Sequence, residues 1–126
     1  MNEYLLYSSI ITGCILLLII YNNYTPKYNI LYLFIFLGII TSILNHGFYS
    51  ITYKYIDRFI MIVNVVLFIY FIMQLSTHKK LYKIVILILA CITYLLSKIQ
   101  KNMIVRDTLH SFSHFLSVLL LYLLHK

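Results

Sequence analysis

Five long apolar runs divide the chain, and short polar clusters separate them. The runs cover about residues 4–21, 29–49, 57–76, 81–97 and 104–124. The first ends in Asn22-Asn23-Tyr24-Thr25-Pro26-Lys27, the third in Ser76-Thr77-His78-Lys79-Lys80. The fourth ends in Ser97-Lys98 followed by Gln100-Lys101-Asn102. Each run is close to the roughly 20 residues that a helix needs to cross a hydrocarbon core. The runs are continuous and lack a period of two, which argues against a membrane β-barrel. In lipid, backbone polar groups must find partners within their own segment, so the runs are expected to be helices. The pattern predicts one all-α domain over residues 1–126, a multi-pass transmembrane helix bundle of about five spans. No internal repeat is visible.

Composition agrees with this pattern. The chain is 63% hydrophobic and 10% charged, where a soluble domain has roughly 45–50% apolar and about 25% charged residues. With three Gly and one Pro among 126 residues, a long flexible linker has no place. The formal charge of +7 does not point to nucleic acid, because the basic residues sit in short loops where they anchor spans at headgroups. Thirteen Tyr, many near span ends, fit an interfacial aromatic belt. Cys14 and Cys91 lie within apolar runs and read as small core residues, not a disulfide. Glu3 stands where a secretory signal would be basic, and no small-residue cleavage site follows. The first run is therefore expected to be a retained span.

Five spans put residues 50–56 and 98–103 on the side of the N-terminus, and residues 22–28 and 77–80 on the other. Lys54, Arg58, Lys98, Lys101 and Arg106 fall near the first side, and Lys27, Lys79, Lys80, Lys83 and Lys126 near the second. That balance gives no orientation by the positive-inside rule, and the sequence does not say which membrane holds the chain.

The topology does set depth. His46 falls near the end of span two, Asp57 opens span three, and His110 and His114 lie in the first half of span five. All therefore share one membrane depth. Ionisable groups inside a membrane are costly and tend to face each other or a cavity, where they mark a function. His110 and His114 are four apart and share a helix face, as do Ser42 and His46. Three histidines with an open fourth position are a typical zinc arrangement, in which the metal lowers the pKa of bound water to about 7 and polarises a carbonyl. The reading is Zn2+ held by His46, His110 and His114. Asp57 would serve as general base and acid, and Ser42 would hydrogen-bond the substrate carbonyl.

Each residue also has a structural explanation. Asp57 can be the N-cap of span three. Ser42 can bond the carbonyl one turn back. His46 can be an interfacial amphipathic residue, and His110 with His114 can form interhelical hydrogen bonds. These explanations do not require the groups to converge, and the metal reading does. Asp107 precedes His110 by three and can orient it or cap span five; Asn45, Ser111 and Ser113 are further supporting candidates.

The ordered set Ser42-Ile-Leu-Asn-His46, Asp57 and His110-Ser-Phe-Ser-His114 resembles the CREST superfamily of membrane hydrolases. That superfamily includes alkaline ceramidases, progestin and adiponectin receptors, and GPI-anchor remodelling proteins. It carries Ser-x-x-x-His on its second span, Asp on its third and His-x-x-x-His on its last. The His46-to-Asp57 interval is similar to that of the ceramidases, and Tyr55-Ile-Asp57-Arg-Phe59 is similar to the remodelling branch. Members have a seven-span core; losing two spans between the third and the last would keep the histidines on one side. A thinner lipid cavity would result, which a second copy in a homo-oligomer can complete. No acidic N-terminal cluster like the calcium site of some ceramidases is present.

What the resemblance implies is a zinc-dependent intramembrane hydrolase of a lipid amide or ester bond, ceramidase-like, acting on a membrane lipid. Two other readings stand beside it. One is a receptor-like or scaffold membrane protein with a structural metal site. The other is a small channel or interaction protein without metal.

Overall fold

The computed structural model describes residues 2–126, all of them in helices or short connections among the described residues. Five helices follow in order: α1 Glu3–Asn23, α2 Asn29–Gly47, α3 Ile51–Met73, α4 Thr77–Ile99 and α5 Met103–Leu124. A single 3₁₀ turn at Pro26–Tyr28 leads into α2. Each of the five helical segments is long and apolar enough to cross a membrane, which makes this a membrane protein of the all-α class. Most large apolar side chains on the outside, such as Leu18, Ile62, Val66 and Leu95, are exposed. In water such a surface would aggregate; in a bilayer it is the solvent-facing side.

Two boundaries differ from the sequence expectation. Helix α3 begins at Ile51 and not at residue 57, so Lys54, Asp57 and Arg58 belong to its first turns. Helix α4 begins at Thr77, so the polar stretch 77–80 is its first turn and not a loop. The physical reason is the same in both: hydropathy locates the lipid-facing part of a helix, while the helix itself runs on into the interface where charges are tolerated.

The helices close into a ring. α1 packs on α2 and α5, α2 on α3, and α4 most extensively on α5, while α3 and α4 make the sparsest contact of the five neighbouring pairs. The connections are short, so neighbours along the chain run antiparallel. The start of α1, the end of α2, the start of α3, the end of α4 and the start of α5 then share one end of the bundle, here the near end.

The far end is densely packed. Leu31, Ile72, Leu120 and Leu121 are almost wholly buried there, around Tyr28 and Phe71. The Tyr28 ring meets Phe71 edge-on at 5.0 Å and His125 edge-on at 5.5 Å. Tyr32 Oη bonds His125 Nε2 at 2.6 Å and stacks on the same ring. Such aromatic clusters add to burial by fixing geometry.

The near end is tied by one polar residue. Asn2 caps α1 through its side-chain oxygen, which accepts from Leu5 N at 3.1 Å. Its backbone N–H donates to His46 O at 3.0 Å, and its side-chain amide donates to Asp107 Oδ2 at 3.3 Å. The start of α1 is thereby fastened to the last turn of α2 and to α5.

Candidate metal centre

The three histidines converge. Their ring nitrogens lie within 4.8 Å of one another. The His46 ring centroid is 5.1 Å from that of His110 and 6.3 Å from that of His114, and the pair on α5 is 4.8 Å apart. His46 and His110 are buried and His114 is half-buried. Helix geometry brings His110 and His114 onto one face of α5, and the α1 bridge holds the end of α2 against that face.

The donor set fits a metal ion. Neutral imidazoles clustered without a carboxylate suit zinc and its neighbours. His46 Nε2 is buried with no hydrogen-bond partner, and a bound ion would satisfy it. His46, His110 and His114 would be the residues that hold such an ion. The site also has an outer support that the sequence reading missed. Ser8 Oγ on α1 lies 3.2 Å from His114 Nδ1. Such a partner would fix which ring nitrogen faces a bound metal.

Ser42 and Asp57 share one cavity with His110 and His114. Ser42 Oγ lies 2.9 Å from Ser9 Oγ on α1, so the carbonyl one turn back is not its partner. Asp57 is not the N-cap of α3, because Ser50 holds that position. Its carboxylate instead accepts from Asn45 Nδ2 at 2.9 Å and from Thr41 Oγ1 at 3.3 Å, both on α2. The carboxylate stands outside the group of three imidazoles. It lines the same cavity as His110 and His114 but is not one of the converging groups.

Asp107 takes neither role expected of it. Asn102 caps α5, accepting from Ile104 N and Val105 N, while Asp107 pairs with Arg106 at 3.1 Å and holds Asn2. Ser113 Oγ donates to His110 O at 2.6 Å, and Ser111 Oγ is buried with no partner. Asn45 is the supporting candidate that reaches the site directly, through Asp57. The two α1 serines had one signal in the sequence, a polar pair four residues into an apolar run. Nothing in that run told which neighbours they meet.

The cavity holds about 500 Å³, inside the roughly 300–1,000 Å³ common for small-ligand pockets. Its near end is polar, with Ser9, Ser42, Asp57, His110 and His114. From there it runs between apolar side chains toward Leu16, Phe68 and Leu120, which also belong to the packed core. No protein-family model, no curated protein and no solved structure matches the chain.

Proposed function

We propose that this chain is a multi-pass, zinc-dependent intramembrane hydrolase of a lipid amide or ester, as its resemblance to the CREST superfamily implies. The observation that carries the reading is the junction of two features. Three imidazoles meet within 4.8 Å, and two of them, His110 and His114, line the polar end of a long apolar cavity. An amphiphile with a carbonyl at its head and a chain behind it matches that division.

His46, His110 and His114 would hold the ion. A zinc ion bound there supplies a water of lowered pKa and a Lewis acid for the carbonyl. The chain's own groups do the rest. Asp57 takes a proton at its carboxylate and returns it to the leaving amine or alcohol. Asn45 and Thr41 aim that carboxylate through their two hydrogen bonds. Ser42 donates its hydroxyl proton to the oxygen that gains charge, and the Ser9 hydroxyl bonded to it keeps Ser42 oriented. The largely apolar walls of the cavity strengthen each of these contacts.

The receptor-like or scaffold reading keeps one observation in its favour: Asp57 already has two protein donors and lies outside the histidine group. Turnover decides. Purified zinc-loaded protein in bilayers is incubated with labelled ceramides and phospholipids. Release of fatty acid, lost on chelation and restored by zinc, is the expected result. Zinc bound in full with no release from any of these lipids would leave the scaffold reading.

A further inference from the structure

The cavity is open on one flank. Ile62 and Val66 of α3 and Leu95 of α4 line it, yet each is more than half exposed, at 58%, 57% and 62%. A residue that lines a cavity and also faces outward marks its mouth. All three lie on the two helices with the sparsest contact in the ring. On the other flanks the cavity is closed by α1, α2 and α5, which pack on their neighbours more closely. Ile62 and Val66 stand in the middle of α3, at least eleven positions from its start and seven from its end, and Leu95 lies one turn from the end of α4. With the helices across a bilayer, hydrocarbon is what lies outside that mouth.

We propose that the seam between α3 and α4 is a side portal through which one apolar chain of a bilayer lipid enters the cavity. The inference rests on the reading of the site as one that acts on a membrane lipid, and it adds the route and the number of chains. The lining inside the mouth is mostly apolar, with Val65 and Phe68 on α3 and Leu87 and Ala90 on α4, and Asn64 as the polar group among them. A charged headgroup finds no charged partner on that stretch, while a chain loses little on leaving lipid for such a wall. The pocket narrows onto packed core at Leu16, Phe68 and Leu120, so its far end is blind. Its volume of about 500 Å³ suits one chain, with the rest of the lipid outside the seam. The carbonyl at the head of that chain would then come to the polar end, beside Ser42 and the histidines.

The test uses the full-length protein in phosphatidylcholine bilayers with a palmitic acid analogue carrying a mid-chain diazirine. After irradiation, adducts are mapped by mass spectrometry. Adducts on Val65, Phe68 and Ala90, inside the cavity, are expected beside those on outward residues such as Leu18 and Ile69. Val66→Trp, at the outward-facing mouth, should remove most of the inner adducts and leave the outer ones. Adducts confined to outward residues would overturn the portal. So would inner adducts that Val66→Trp leaves unchanged, since the chain would then arrive by another route. The readout is adduct position and not turnover, so the same map in His114→Ala protein separates a failed portal from a failed metal site.

Discussion

At the residue scale, the site is built from a few polar groups that apolar helices bring to one depth. The histidines were legible because a spacing of four on a helix puts two rings on one face, and because span parity put His46 beside them. Asp57 was legible as a charged residue at a span end, yet its surroundings were not: Asn45 and Thr41 on α2 had to be seen beside it. Ser8 and Ser9 looked like two tolerated hydroxyls, since one sequence does not say which helix faces which. Three outcomes follow at this scale. His114→Ala should strip most of the zinc, measured by elemental analysis. Asp57→Asn should keep the zinc and the fold while lowering lipid hydrolysis by about 10²–10⁴-fold, the usual share of acid–base catalysis. Ser8→Ala should weaken zinc affinity by about 10–100-fold, as loss of an outer hydrogen bond does, with rescue by Ser8→Thr; a competition titration with a metal chelator reads it.

At the element scale, apolar runs predicted all five helices, and interfacial charge blurred their ends. Lys54 and Arg58 read as loop and span edge, though both lie in the first turns of α3. Helix packing was less visible still. Gly13 shows why. A Cβ built there would stand 2.6 Å from Ile39 Cγ2, so α1 and α2 approach closely at that point. The contact lies one turn from Ser9, which meets Ser42 across the same pair of helices. Gly13→Val should therefore destabilise the bundle by about 1–3 kcal/mol, as overpacking does, and should reduce hydrolysis by parting Ser9 from Ser42. Thermal unfolding in detergent checks the first effect, and turnover below the transition checks the second.

At the scale of the whole molecule, one end is filled and the other is hollow. The filled end carries the aromatic cluster around Tyr28, Tyr32 and His125. The hollow end carries the histidines, the cavity and the open seam. This division was only half legible in the sequence. Membrane depth of the ionisable residues followed from span parity, whereas the cavity and the weak α3–α4 contact are products of packing that no periodicity encodes. Five crossings would put Lys27 and Lys101 on opposite membrane faces, and single cysteines at those positions should differ in labelling by an impermeant reagent on sealed vesicles. The most direct test of the account is the zinc content of purified wild-type protein and of His46→Ala after equal exposure to the metal. One zinc per wild-type chain, lost in His46→Ala, is the predicted result; wild-type protein that retains no zinc, or a variant that retains all of it, would contradict the account.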